Sequence, residues 1–162
     1  MPLNTIRLRR TVDTLEQAII HLQALPVTKA DASAVSRDAK SGSSVTTREV
    51  LYDLYRNAAI KSFELSLETA GKLLRKALKP YAVQPREVDR LVFNDVLRQA
   101  GKHGLLEIEE VPRWLEYRAN RNTTAHDYGE DFANETMKLL PIYLQDARAL
   151  ADRLDEAGDA TP

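Results

Sequence analysis

Apolar positions near the start of the chain recur at helical spacing. Leu8, Val12, Leu15, Ile19 and Leu22 follow one another at steps of 4, 3, 4 and 3, which sets them on one face of a helix. Pro26 ends the pattern. The stretch that follows, "PVTKADASAVSRDAKSGSS", is small and polar. A connector over 26–46 with so little apolar content is expected to be mobile rather than packed, with at most a marginal helical turn in "KADASAVSRDA".

Thr46 with Glu49 three residues on has the spacing of a capping box. It opens the longest periodic stretch: Leu51, Leu54, Ala58, Phe63, Leu67, Ala70, Leu74 and Ala77, with one five-residue step around Ala59 and Ile60. The spacing predicts a single helix of about 30 residues, bent at that step, that ends at Pro80. Its other face carries Glu64, Glu68 and Lys72 at i,i+4 positions, and the Glu68–Lys72 order is the favourable one. A third helix starts at Pro85, with Val88, Leu91, Val92 and Val96 inward and Gly101 or Gly104 at its end. A fourth starts near Pro112, with Trp114 and Leu115 inward and Tyr117, Arg118 and Arg121 near its end. Phe132, Met137, Leu140, Leu144, Leu150 and Leu154 predict a last helix, which Pro141 should kink or break, and the tail from residue 155 should fray. Strand patterns are nearly absent. The expected fold is all-α, an up-and-down antiparallel bundle of about five helices in one domain over 1–162.

Composition narrows the function classes. Of 162 residues, 43% are hydrophobic and 29% charged, and the net charge is -1. A global basic field is therefore absent, and nucleic-acid binding would need a local patch. No cysteine is present, so disulfides, thiolate metal sites and cysteine nucleophiles are excluded. The start, "MPLNTIRLRR", lacks an apolar run suited to a secretory signal, and no segment approaches the roughly 20 apolar residues of a membrane span. A cytoplasmic protein that needs no membrane is expected.

One stretch carries candidate chemistry: "RANRNTTAHDY", residues 118–128. Arg121 and His126 are five apart, about 140° around an unbroken helix, so they would not share a face. Asn122, Thr123 and Thr124 favour caps and turns, and a turn there would let the two side chains converge. Arginine offers a planar fork to phosphate oxygens, and histidine, with a reference pKa of about 6.5, exchanges protons at cellular pH. Together they suit metal-free RNA cleavage, with His126 moving the proton and Arg121 stabilising the phosphorane. The same residues also serve as caps and surface hydrogen bonds in many helical proteins. His21 reads as a boundary residue and His103 as a loop or C-cap side chain. No carboxylate stands at ligand spacing from the histidines, so no metal site is expected, and no cofactor-binding glycine loop is present. Lys72, Arg75, Lys76 and Lys79, then Arg113, Arg118 and Arg121, form basic runs. They read either as a solvated face or as a groove along a nucleic-acid backbone.

The runs "SFELSLETAGKLLRKAL", "QPREV" and "GLLEIEEVPRWLEYRANRNTTAHDY" resemble, in order, the patterns of the small bacterial and archaeal nucleotidyltransferase substrate-binding proteins. The resemblance covers roughly residues 48–154, and its most specific part is Arg-Asn-x-x-x-His-x-Tyr. These proteins belong to the HEPN superfamily, whose HepT-type toxins share an arginine–histidine motif. The resemblance implies a homodimeric helical bundle with the motif lining a cleft at the dimer interface. It implies an Arg121–His126 ribonuclease pair, with Asn122 positioning and Tyr128 modified with AMP by an MNT-type nucleotidyltransferase antitoxin. RNA would be the substrate, with tRNA a candidate, and Lys72, Arg75, Lys76 and Arg118 candidate RNA or partner contacts. The other role known in the family is a non-catalytic substrate-binding subunit of a two-component nucleotidyltransferase.

Overall fold

The computed structural model describes residues 3–25, 46–124 and 130–159. Six α-helices lie among the described residues: α1 (Ile6–Ala24), α2 (Thr47–Leu78), α3 (Pro85–Asp89), α4 (Phe93–Lys102), α5 (Val111–Thr124) and α6 (Glu130–Asp159), with 3-10 turns at Lys79–Tyr81 and Ile108–Glu110. The fold is an all-α helical bundle.

Side-chain pairs fix the direction of the four longer helices. Asn4 and Arg7 share a groove with Thr69 and Lys72, while His21 stacks on Tyr55 at 5.2 Å, so α1 and α2 run antiparallel. Arg9 reaches Asp152 and Arg148 reaches Glu16, so α1 and α6 are antiparallel too. Arg113 bonds Asp146, and Thr136 bonds Asn120, which opposes α5 to α6. The α1 stripe is buried as its spacing predicts, at Leu8, Val12, Leu15 and Ile19. Thr46 Oγ1 accepts from the Glu49 N–H at 3.3 Å, capping α2, and Glu68 pairs with Lys72 at 3.2 Å.

Four expectations change. Leu54 is 58% exposed, and burial along α2 begins only at Ala59. At 32 residues α2 outruns α1, which has 19, so its first turns extend past the layer that would cover them. The third predicted helix is two: Val92 is extended at the N-cap of α4 and 64% exposed, because a cap residue leaves the helical face that the spacing assigns it. Helix α6 runs through Pro141 without the break that is one of the two outcomes expected there. Pro141 is exposed, so the ring meets water and the helix loses one backbone hydrogen bond of many. The last helix also continues past residue 155, where Asp155 accepts from Thr5 Oγ1 at 2.7 Å.

The core centres on an edge-to-face aromatic cluster. Tyr143 lies 4.8 Å from Phe63, 5.0 Å from Tyr117 and 5.8 Å from Trp114, by ring centroids. All four are essentially inaccessible to water, and such contacts add to the burial of their large apolar area. The Tyr143 hydroxyl shares a hydrogen bond with Ser66 Oγ, so the most buried phenol keeps a partner. Among the described residues, no helix is long and apolar enough to cross a membrane.

Candidate functional site

Helix α5 delivers the first half of the motif. It grows from a reciprocal cap at Glu107 and Glu110, and Gly104, at φ 76°, turns the chain out of α4 ahead of it. Its rotation is fixed by a polar lock. Arg113 donates two bonds of 2.8 Å to the Asp146 carboxylate, and the Tyr117 hydroxyl donates to the same carboxylate at 2.6 Å. Asp146 is 5% exposed, and the bonded arginine fork meets its need for partners. Burial, then the hydrogen bond to Asp146, raises the Tyr117 pKa, so its proton stays in place. A second tie sits at the far end of α5, where Thr136 Oγ1 donates to Asn120 Oδ1. Thr136 is fully buried, so this tie joins α5 and α6 on either side of residues 125–129.

Arg121 is half-buried in the last turn of α5. The helix carries on through Asn122, Thr123 and Thr124, where the sequence favours a turn. Asn and Thr cost only a few tenths of a kcal/mol each in a helix, and α5 is tied to α6 through Asn120 just before them. The turn expected at 122–124 is therefore not made there. His126 and Tyr128 lie outside the described residues, as does the side chain of Asn122.

The described surroundings of Arg121 are basic. Arg118, one turn earlier, lies with its guanidinium carbon 4.9 Å from the centre of the Phe93 ring. Burial, followed by the charges of Arg121 and Arg75, lowers the Arg118 pKa. Arg75 reaches across from α2 and donates to the Val88 carbonyl at 3.0 Å. Among the described residues no carboxylate pairs with any of these three arginines. Phe93 itself lies against Gly71 of α2, where any Cβ would overlap its ring.

The basic runs read from the sequence are thus split. Lys72 pairs with Glu68 in the groove beside α1, and Lys79 lies 3.6 Å from Asp89. Arg113 is spent on Asp146 and leaves the basic group. Lys76 is exposed. Only Arg75, Arg118 and Arg121 come together. Phe93 and Gly71 are the residues the sequence pattern misses. A glycine inside a strong helical pattern is the signal that could have found them, since it marks a close approach. His103 is the C-cap of α4, as expected, and stacks on Tyr81 at 4.4 Å. His21 is exposed at the α1 boundary.

The chain is 28% identical over 105 residues to a Haemophilus influenzae protein named probable ribonuclease HepT, covering 65% of this chain and 70% of that protein. Its structure resembles that of a Haemophilus influenzae protein described as having the fold of a substrate-binding domain of a nucleotidyltransferase. The TM-score is 0.71 and the identity 22%, over 93% of this chain and 98% of the other. A crystal structure from Thermus thermophilus matches with a TM-score of 0.56 and 24% identity, over 86% and 98%. At these identities the structural likenesses speak for the fold alone. The family described as nucleotidyltransferase substrate binding protein like matches residues 8–156, nearly the whole chain, and this protein belongs to it.

Proposed function

We propose that this protein is a HepT-like ribonuclease that cleaves RNA with Arg121 and His126. One observation carries the reading: Arg121 closes α5 in a group of arginines with no described carboxylate partner, and Asn122, His126 and Tyr128 follow in motif order. A developing phosphorane needs fixed positive charge, and an arginine that is not neutralised supplies it. The likeness to a protein named probable ribonuclease HepT supports the same chemistry. In the reaction the RNA 2′-hydroxyl attacks the adjacent phosphorus and the bond to the 5′-oxygen breaks. His126 takes the hydroxyl proton or returns one to the departing oxygen, which leaves a 2′,3′-cyclic phosphate and a 5′-hydroxyl. Asn122 positions the phosphate. The protein acts as a homodimer in the cytoplasm, and its partner is an MNT-type nucleotidyltransferase. That partner transfers AMP from ATP to the Tyr128 phenol and releases pyrophosphate. The added phosphate charge and nucleoside beside His126 repel and block RNA.

The test is cleavage of single-stranded RNA or tRNA by AMP-free protein. His126→Ala and Arg121→Ala should each slow cleavage by about 10²–10⁴-fold without lowering the melting temperature. Parent-level cleavage by His126→Ala would overturn the reading. Protein made beside its nucleotidyltransferase should gain whole AMP units in intact mass, mapped to Tyr128.

A second reading is favoured by the family's description. A helical dimer would present a substrate to the nucleotidyltransferase with no chemistry of its own. It predicts no RNA cleavage by the AMP-free protein and no mass shift beside an active partner.

A further inference from the structure

The arginines around Arg121 are arranged against their own electrostatic interest. Arg75, Arg118 and Arg121 come from two helices, and burial together with the charges of Arg121 and Arg75 lowers the Arg118 pKa. Elsewhere in the molecule, half-buried arginines are matched with carboxylates: Arg113 with Asp146, and Arg153 with Glu110. Here the described neighbours are an aromatic ring and a backbone carbonyl. A group of this kind repels itself when empty and is stabilised when an anion enters.

The local geometry gives Arg118 a defined place. Its i,i+3 relation to Arg121 sets the two on neighbouring positions of one helix face, with roughly 5–6 Å between Cβ atoms. That separation is of the order of the spacing between neighbouring phosphates on one strand. The guanidinium lies over the Phe93 ring, which attracts the cation and limits the freedom of a long side chain. Phe93 can lie there only because Gly71 has no side chain. A glycine in mid-helix lowers helix stability, so this approach is kept at a cost. Arg75 is held by the Val88 carbonyl, beside the pair.

We infer that Arg118, held on Phe93, is a second phosphate-binding residue, which takes the RNA backbone phosphate next to the one that Arg121 addresses. The identity of the ligand rests on the ribonuclease reading, whereas the two-phosphate arrangement rests on the arginines and the ring. Arg75 adds attraction without changing its hydrogen bond. Lys72 and Lys79, each beside an acid, take no part.

The experiment measures binding apart from cleavage, using the full-length His126→Ala protein and a short labelled single-stranded RNA over a series of salt concentrations. Adding Arg118→Gln should weaken binding about tenfold and reduce the slope of log K against log salt by about 0.7, the loss of one phosphate contact. Arg118→Lys should keep the slope and lose affinity by about threefold, because the charge remains and the planar fork does not. Phe93→Leu should behave like Arg118→Lys, and Lys79→Gln should change neither quantity. Unchanged affinity and slope in Arg118→Gln overturn the inference, including where that variant weakens nucleotidyltransferase association instead. So does an absence of salt-dependent RNA binding by the His126→Ala protein. If the parent protein cuts no RNA while Arg118→Gln still weakens binding, the ribonuclease reading falls and the phosphate site stands.

Discussion

Two groups of arginines in this molecule stand in opposite electrostatic settings. Along α6, Arg9 bonds Asp152 and Asp155, Arg148 bonds Glu16 and Asp13, Arg153 forks onto Glu110, and Arg113 forks onto Asp146. Hydrogen bonds to the carboxylates raise the pKa of each of these four. At the end of α5, burial and the charges of Arg121 and Arg75 lower the Arg118 pKa instead. The first group joins helices: α1 to α6, α5 to α6, and the turn before α5 to α6. The second group joins nothing that needs a charge. Arginines that join helices are matched inside the fold, and the arginines proposed to meet a phosphate have no described carboxylate to match them.

The sharpest way to test that division is to break the lock at Asp146. Asp146→Ala leaves the Arg113 fork and the Tyr117 hydroxyl without their acceptor. Removing one partner of a buried pair costs about 3–5 kcal/mol, and Arg113 is 39% exposed, so water recovers part of it. A loss of about 2–3 kcal/mol is expected in urea unfolding, with no change in the salt slope of RNA binding by the folded protein. A loss below about 1 kcal/mol would mean that the paired arginines are dispensable and the division is wrong.

A smaller effect is expected at the contact where packing and site meet. Gly71→Ala gains about 1 kcal/mol of helix propensity and pushes the Phe93 ring aside, which costs about 1–3 kcal/mol. The net should be a loss of about 1 kcal/mol, with a severalfold loss of RNA affinity as Arg118 leaves its ring. A variant that is more stable and binds RNA as before would show that Phe93 does not hold Arg118.

The sequence makes the helices legible because their signals are local. The Thr46–Glu49 spacing and the Leu8–Ile19 stripe each lie within a few turns, and both give the observed cap and buried face. Glu68 and Lys72 meet for the same reason. Contacts between distant positions are not legible. Asp146 is 33 residues from Arg113, and no local pattern says which acid an arginine will meet. Val92 and Phe93 show the limit of periodicity. The spacing sets Val92 inward, yet a cap turns it outward and brings its neighbour Phe93 against Gly71. At the candidate site the sequence supplies the motif and the structure supplies the setting of Arg121, with His126 and Tyr128 outside the described residues.

The smallest effect, and a finer test of the comparison, concerns acid. Hydrogen bonds from Arg9 and then Thr5 hold the Asp155 carboxyl below its ordinary value. A carboxylate whose folded pKa is depressed stabilises the fold above its unfolded pKa, and that stabilisation is lost as pH falls through the folded value. Asp155 and Arg9 are 42% and 39% exposed, so solvent screens the pair and the effect should be about 0.5 kcal/mol. Asp155→Asn should therefore be slightly less stable than the parent at neutral pH. The gap should close below about pH 4, and it should narrow with salt. Arg118→Gln carries no such signature, because no described carboxylate depends on Arg118. Its stability difference from the parent should be flat across the same acid range, and a difference that closes with falling pH would reveal an acid partner for Arg118 and place it with the structural group.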